Sequence, residues 1–161
     1  MSEANGNGSV PALTGARIFL GMPGYGEQTA GAGRGFWCAS KRDSRDIYRV
    51  YREGSLLAAN FNALWVHALN LNRIGEDIRY FAMQHSDIEP QDWWLDTLIE
   101  EMERADLDVL GVVVPIKDPR GVTSIALAHP SGDPYRTLCR LTMTEVFDLP
   151  ETFTSDDVGH P

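Results

Sequence analysis

Apolar side chains in the first half of the chain cluster in three short runs, which predict buried strands. The runs cover residues 16–22, 47–52 and 78–84, and each ends at proline, glycine or polar residues. Residues 47–52 carry the β-branched and aromatic side chains that are common in strands. Residues 78–84 are mostly apolar and are predicted to form the central strand of a sheet.

Between these runs the apolar positions recur every three or four residues, which predicts two amphipathic helices. The first is expected to start after an N-cap at Ser55 and to end at Asn72. Its predicted buried stripe is Leu57, Phe61, Leu64, Trp65, Ala68 and Leu71. The second helix is expected to carry Pro90 in its first turn. Its predicted buried stripe is Trp94, Leu95, Leu98, Ile99 and Met102.

The remaining segments complete an α/β pattern whose sheet is mostly parallel early and mixed later. Residues 27–46 show no period and predict a long loop. The continuous apolar run at 109–115 predicts a strand buried on both faces. A further strand is expected at 122–128. Apolar and polar side chains then alternate from Cys139 to Thr144, which predicts a strand with one solvated face.

Length and composition indicate one folded domain. The 161 residues are 43% hydrophobic and 23% charged, as in ordinary globular proteins. The domain is expected to cover residues 15–149. Residues 1–14 are predicted to be a mobile polar arm, and residues 150–161 a tail or the beginning of a missing acceptor-binding half. No apolar run approaches the roughly 20 residues of a membrane span.

The cysteine content bears on the compartment. Cys38 and Cys139 are the only cysteines, and two thiols in unrelated positions do not build a disulfide framework. The first 14 residues lack the basic start and apolar stretch of a secretory signal. A reducing cytoplasm is therefore the expected location.

Charge is distributed unevenly along the chain. The net charge of −9 disfavours nucleic acid as a partner. Residues 34–52, however, hold six basic side chains against two acidic ones. Two interpretations stay open: this basic stretch faces phosphates, or it is a solvated strand and loop.

Two loops are predicted to meet at one edge of the sheet. Pro23-Gly24-Tyr25-Gly26 follows the first strand, and His85-Ser86-Asp87 follows the strand at 78–84. In open α/β sheets, ligands bind beyond the carboxyl ends of the strands. The two loops are therefore the strongest candidates for a binding site.

The glycine-containing loop matches neither common phosphate motif. It lacks the Gly-Lys-Ser or Gly-Lys-Thr ending of a P-loop. A dinucleotide fingerprint opens directly into a helix, whereas residues 28–35 contain three glycines and are predicted not to be helical. Tyr25 then either lies against a nucleobase or is a surface tyrosine in a simple turn.

Asp87 is the candidate metal ligand. Mg²⁺ or Mn²⁺ on a diphosphate needs hard oxygen ligands, and one or two carboxylates suffice because phosphates supply the rest. His85 is a second candidate ligand, better suited to Mn²⁺ than to Mg²⁺. The alternative is that Ser86 or Asp87 only caps the turn into the helix expected at Pro90. No histidine or cysteine spacing predicts a zinc site or a catalytic triad.

The order of these parts resembles the GT-A glycosyltransferases, especially the inverting family-2 type. The resemblance runs from about Arg17 to Ala128. It rests on R-I-F-L-G-M-P with its Pro-Gly-Tyr loop, the helix S-L-L-A-A-N-F-N-A-L-W-V-H-A-L-N, the segment Y-F-A-M-Q-H-S-D-I-E-P, and W-L-D-T-L-I-E-E-M. H-S-D stands where the family has its acidic D-x-D motif. The resemblance implies a three-layer sandwich around a mostly parallel, partly mixed central sheet.

The resemblance also implies an activity. The Pro23-Gly24-Tyr25 loop would contact the nucleoside of a nucleotide-sugar donor, a UDP-sugar above all. Asp87, with His85 in the place of the first acid, would bind Mn²⁺ or Mg²⁺ on the diphosphate, and a hexosyl group would pass to an unknown acceptor. No residue is identified as the catalytic base, so the chain is expected to be part of a longer transferase or to act with a partner chain.

Two other functions stay open from the sequence. One is a nucleotidyltransferase, for which residues 31–34 offer a short glycine-rich basic segment after the first strand. The other is a non-catalytic binding or assembly domain that has the fold without the acceptor-binding half. Fold alone does not decide among the three.

Overall fold

The computed structural model describes residues 17–42, 46–128 and 138–158. It separates into two compact units, Met1–Asp108 and Val109–Pro161. The first unit contains β1 (Arg17–Gly24), α1 (Ala30–Trp37), β2 (Ile47–Glu53), α2 (Leu57–Arg73), β3 (Ile78–Met83) and α3 (Trp94–Arg104). The second contains β4 (Val122–Ala128), β5 (Leu138–Thr142) and α4 (Met143–Phe147). The predicted mobile arm at 1–14 lies outside the described residues.

A three-stranded parallel sheet forms the centre of the first unit, in the order β2-β1-β3. β1 is the central strand, and all of its residues except Arg17 are buried. The prediction that residues 78–84 form the central strand is wrong, because β3 lies at an edge of this sheet. The side chains of Arg79 and Met83 on β3 are exposed, as an edge position allows.

Helices cover both faces of this sheet. On one face, Ile18, Leu20 and Met22 pack with α1 and α3 through Phe36 and Leu95. On the opposite face, Phe19 packs with Leu64 and Ala68 of α2. The connections β1-α1-β2 and β2-α2-β3 cross the sheet in opposite directions, so right-handed crossovers place α1 and α2 on opposite faces. The first unit is therefore an α/β fold, as predicted.

α1 occupies a segment that was predicted to be a loop, so that prediction is wrong. Thr29 is its N-cap, and the Thr29 hydroxyl accepts a hydrogen bond from the Ala32 amide at 3.1 Å. Burial of Ala32 and Phe36 against the sheet offsets the weak helix propensity of its glycines. The apolar period was not visible in the sequence because Gly31 and Gly35, two helix positions that contact Glu89 and Pro90 of the loop before α3, carry no side chain.

The other two helices of the first unit form near their predicted places but start later. α2 has Leu56 as its N-cap and no side-chain capping bond, so the predicted cap at Ser55 is wrong. α3 starts at Trp94, and Pro90 lies before it rather than in its first turn. The loop before α3 is held in a non-helical path because the Trp93 amide donates to the Cys38 carbonyl at 2.7 Å.

The second unit is built on an antiparallel pair, β4 and β5. β5 ends at Thr142 because a capping box between Thr142 and Glu145 turns the chain into α4. The prediction of a strand at 109–115 is wrong: an isolated bridge joins Pro115 to Thr123, and Val109 is 85% exposed. An apolar run becomes a strand only where a neighbouring segment forms hydrogen bonds with its backbone. Among the described residues, the 109–115 segment has such bonds only near its C-terminal end, between Val114 and Ser124.

Two further statements apply to the residues that the structure describes. Residues 150–158 contain no helix or strand. Within the part of the chain that the structure describes, no helix is both long enough and apolar enough to cross a membrane.

Candidate functional site

The two loops singled out in the sequence lie at the same edge of the sheet. β1 and β3 are parallel neighbours, with Gly21 opposite Met83. Just beyond the end of β3, the backbone amide of Gln84 donates a hydrogen bond to the Gly21 carbonyl at 3.0 Å. The Thr29 amide then donates to the Ser86 carbonyl at 3.2 Å. The loop after β1 is thus bonded directly to the loop after β3.

The loop after β1 exposes one aromatic ring. Pro23 and Gly24 are buried, whereas Tyr25 is 72% exposed. Gly26 follows with a φ of 81°, a left-handed conformation that glycine adopts without strain. The Tyr25 ring is therefore available to a ligand at this edge, as the nucleobase hypothesis requires.

Gly24 has a structural role that the sequence did not reveal. A Cβ atom at this position would lie 2.5 Å from the hydroxyl oxygen of Tyr51 on β2. Only glycine allows the Tyr51 ring to lie across the end of β1. Tyr51 is 42% exposed, so it adds a second aromatic side chain to the edge.

A buried amide joins the ends of β1 and β2. Asn60 of α2 donates through Nδ2 to the carbonyls of Gly24 at 3.3 Å and Gly54 at 3.1 Å. Its burial was readable from the sequence, because Asn60 is spaced by four and eight residues from the buried Leu64 and Ala68. A polar residue in an apolar stripe is a signal that it bonds to backbone nearby.

The His85-Ser86-Asp87 segment forms a turn, closed by the Ile88 amide donating to the His85 carbonyl at 3.3 Å. Ser86 is buried and His85 is half-buried, whereas Asp87 is exposed. Among the described residues, the Asp87 carboxylate has no hydrogen-bond or ion-pair partner. The alternative that Ser86 or Asp87 caps a helix at Pro90 is wrong, because the next helix starts at Trp94 with Trp93 as its N-cap.

A divalent ion at this turn would have few protein ligands. The described residues contain no group of three or more His, Cys, Asp or Glu side chains able to hold a metal. Mg²⁺ and Mn²⁺ on a diphosphate take one or two carboxylates and complete their shell with phosphate oxygens and water. The free carboxylate of Asp87 fits that mode of binding, whereas the donor set does not fit a closed structural zinc site.

The side chain of Gln84 forms hydrogen bonds that fix the position of this turn. It is buried, and its Nε2 donates to the carbonyls of Ala32 at 2.9 Å and Ile88 at 3.1 Å. Its Oε1 atom is buried without a hydrogen-bond partner in the described part of the chain. The amide therefore ties α1 to the turn that carries Asp87 and limits how far either can move.

An open groove of about 510 Å³ runs between α1 and the loop before α3. Its lining residues are Gly31, Arg34, Glu89, Pro90, Gln91, Asp92 and Trp93. Arg34 forms an ion pair with Asp92 at 2.8 Å, and this carboxylate raises the pKa of the guanidinium. The sequence did not predict this groove, because it placed Pro90 in the first turn of a helix and predicted residues 27–46, which include α1, to be a loop.

Several side chains of the basic stretch are used within the fold. Lys41 lies over the Trp93 ring, with Nζ 4.3 Å from the ring centroid. Arg49 donates to the Phe36 carbonyl at 3.0 Å. Arg42 lies 3.9 Å from Asp96. The hypothesis that the stretch faces phosphates stays a prediction, and Arg45 lies outside the described residues.

Comparisons with known proteins do not assign this site. No protein-family model matches the chain, and neither a curated protein nor a solved structure matches it. The resemblance to GT-A glycosyltransferases therefore stays a prediction from the sequence. A function has to be argued from the residues at the carboxyl edge of the sheet.

Proposed function

We propose that this chain binds a nucleotide-sugar at the carboxyl edge of the parallel sheet and transfers its hexosyl group to an acceptor. One observation carries the proposal: the Asp87 carboxylate, which has no partner among the described residues, stands on a turn that is hydrogen-bonded directly to the loop exposing Tyr25. A carboxylate and an exposed aromatic ring on two loops that are hydrogen-bonded to each other match the two ends of a nucleoside diphosphate. The finer fold assignment, a GT-A-like three-layer sandwich, belongs to this proposal.

Each part of the edge has a role in this proposal. Tyr25 stacks on the nucleobase, and Pro23 and Gly24 shape the loop beneath it. Asp87, with His85 as a second ligand, would hold Mn²⁺ or Mg²⁺. Such an ion neutralises the charge that develops on a leaving diphosphate. Gln84 and Thr29 keep the two loops in register, so that base and diphosphate are held by one rigid edge.

Calorimetry with and without metal tests the proposal. UDP, UDP-glucose and UDP-N-acetylglucosamine are titrated into the full chain in Mn²⁺ and then in EDTA. We expect binding in Mn²⁺ that EDTA removes. Asp87→Asn keeps the size of the side chain but removes its charge, and it should weaken binding about tenfold or more, since a charge-assisted contact contributes about 1.5–3 kcal/mol.

A matched variant separates the site from general charge effects. Asp108 is also an exposed aspartate of the first unit, so Asp108→Asn should leave nucleotide binding unchanged. Equal affinity in EDTA and Mn²⁺, or an unchanged affinity in Asp87→Asn, would contradict the metal role. ATP and NAD⁺ are included as competitors. Pyrophosphate as the product would instead indicate a nucleotidyltransferase, and preference for NAD⁺ would indicate a dinucleotide site.

NAD⁺ is included as a competitor because α1 removes the sequence argument against a dinucleotide-binding motif, namely that no helix follows the loop after β1. The loop after β1 does open into a helix, which the sequence did not predict. The spacing from Gly24 through Gly26 nevertheless reaches Thr29, where the fingerprint has its third glycine. The Thr29 hydroxyl is used to cap α1. The carboxyl edge therefore retains its assignment to a nucleoside diphosphate.

A further inference from the structure

The groove between α1 and the loop before α3 combines one aromatic ring with planar polar side chains. Trp93 is 48% exposed and lines it, together with Arg34, Glu89, Gln91 and Asp92. Carboxylates accept hydrogen bonds, the guanidinium donates them, and the amide of Gln91 does both. Its volume of about 510 Å³ lies in the range of small-molecule sites. These are the groups that bind the hydroxyls and the apolar ring face of a sugar.

The charges of the lining exclude two other ligand classes. Two carboxylates, Glu89 and Asp92, face one guanidinium, Arg34, so a phosphate or a nucleic acid would meet an excess of negative charge. Asp92 already pairs with Arg34 at 2.8 Å, which leaves Glu89 as the unpaired carboxylate of the described lining. A single free carboxylate is too few for a divalent cation without phosphates. A neutral ligand with many hydroxyls fits this balance.

Trp93 is held in a conformation that side chains of its size rarely adopt. Its φ is 64°, in the left-handed region that disfavours bulky residues. The Trp93 backbone N–H donates a hydrogen bond to the Cys38 carbonyl, and the Lys41 ammonium lies over the Trp93 ring. These two contacts hold Trp93 in this conformation. Lys41 itself is not among the residues that line the groove. Backbone strain of this kind is concentrated at binding and catalytic sites.

Two glycines of α1 allow the loop before α3 to approach the helix closely. A Cβ atom at Gly31 would lie 2.1 Å from Cδ of Glu89, and one at Gly35 would lie 2.6 Å from Cδ of Pro90. The loop carrying Glu89 and Pro90 therefore packs directly on the backbone of α1. Glu89 follows Asp87 by two residues along the same loop. The groove thus adjoins the carboxyl edge proposed for the nucleotide.

We propose that this groove binds a neutral saccharide, which is the acceptor of the hexosyl transfer; its assignment as acceptor rests on the proposed function. The saccharide stacks on the Trp93 ring. Glu89, Gln91 and the Arg34–Asp92 pair bind its hydroxyls, and the free carboxylate of Glu89 accepts from the hydroxyl nearest to the Asp87 turn.

Binding to neutral sugars tests the groove independently of transfer. The full chain is applied to an array of neutral oligosaccharides containing glucose, galactose, mannose and N-acetylglucosamine. Affinities of the ligands found are then measured by saturation-transfer NMR without nucleotide. Trp93→Asn should weaken binding about tenfold, the effect of losing an aromatic contact. Asparagine tolerates positive φ, so this variant relieves strain while it removes the ring.

Three control variants sharpen the result. Trp37 is another exposed tryptophan under a cation, Arg49, but lies outside the groove, so Trp37→Ala should leave saccharide binding unchanged. Trp93→Phe keeps an aromatic ring and should retain part of the affinity. Glu89→Gln keeps a hydrogen-bonding oxygen and should reduce affinity only slightly for a neutral ligand, whereas it would abolish binding of a cationic one.

The outcomes separate this inference from the proposed function. Trp93→Asn should weaken saccharide binding about tenfold and leave UDP binding unchanged, whereas Asp87→Asn should weaken UDP binding about tenfold or more and leave saccharide binding unchanged. Saccharide binding without any nucleotide binding would remove the transferase and leave the groove as a sugar-binding site. Binding of no neutral glycan, an affinity that falls with salt, or full affinity in Trp93→Asn would overturn the inference. Circular dichroism and Tm establish that each variant is folded.

Discussion

At the scale of single residues, the carboxyl edge depends on a few polar groups that bond to backbone rather than to each other. The side-chain amide of Asn60 joins the ends of β1 and β2, and that of Gln84 joins α1 to the turn that carries Asp87. The backbone amide of Thr29 hydrogen-bonds the loop after β1 to the loop after β3. Buried amides of this kind are costly when only part of their bonds is made, so they specify one arrangement of the loops. These bonds position the backbone of the loops that carry Tyr25 and Asp87, and the Asp87 carboxylate has no partner among the described residues.

Removing the Asn60 amide should destabilise the fold and loosen the nucleotide edge. Asn60→Ala leaves the Gly54 carbonyl without its Asn60 partner, although Gly24 still accepts from the Gly54 amide at 3.2 Å. The expected loss is about 1–3 kcal/mol in the free energy of unfolding, as for other buried hydrogen bonds. Urea denaturation measures it. Asn62→Ala, at an exposed position of the same helix, should change stability by less than about 0.5 kcal/mol. Similar effects for the two variants would show that the Asn60 bonds contribute nothing.

At the scale of elements, α1 shows how a helix forms without an apolar period of its own. Its glycines let the loop at 89–90 approach the helix backbone, and its buried face is completed by Phe36 and Ala32. Isolated, an eight-residue helix with three glycines would not be stable. Packing against β1 and α3 supplies the stability that the local sequence lacks. The same glycines that concealed the helix in the sequence allow this loop to pack on the helix.

Two glycines of α1 should respond in opposite ways to the same substitution. Gly33→Ala should stabilise the protein by about 0.5–1 kcal/mol through helix propensity, because its Cβ meets only the flexible end of Gln28 at 3.1 Å. Gly35→Ala should destabilise it by about 1–3 kcal/mol, because its Cβ would overlap the rigid Pro90 ring. Thermal unfolding of both variants checks the difference. A gain in stability for Gly35→Ala would mean that Pro90 does not pack there.

At the scale of the whole molecule, the two units differ in how their strands are protected. β1 is hydrogen-bonded on both edges and covered by helices on both faces. β5 pairs with β4, and Leu138, Cys139 and Arg140 of β5 are exposed. The apolar segment at 109–115 is largely exposed in the described part of the second unit. The cooperative core of this chain is therefore centred on β1.

Hydrogen exchange should reproduce this difference. Amides of residues 18–22 should exchange at least about tenfold more slowly than those of residues 139–141, since exchange of central strands requires the largest opening of the fold. Mass spectrometry of peptides after deuterium labelling measures both segments in one sample. Labelling of the unfolded chain in denaturant provides the intrinsic rates. Equal protection of the two segments would contradict a core centred on β1.

The sequence by itself determined the α/β class, the three strands of the first sheet, the bodies of α2 and α3, and strands at β4 and β5, but not the pairing of β4 with β5 or the end of β5 at Thr142. These elements are visible because each carries its own apolar period or run. It also identified Tyr25 and Asp87 as residues of two loops that follow parallel strands. Their common edge followed from topology, since the carboxyl ends of neighbouring parallel strands lie together.

Only the tertiary structure decided the rest. The central position of β1 depends on which strands pair, and no local pattern distinguishes a central apolar strand from an edge strand. α1, the late start of α3 and the irregular 109–115 segment each depend on partners distant in sequence, which supply or withhold burial and hydrogen bonds. The groove lies between α1 and a loop that packs on Gly31 and Gly35 although it is more than 50 residues further along the chain. Close packing between distant segments has no signature in either segment alone.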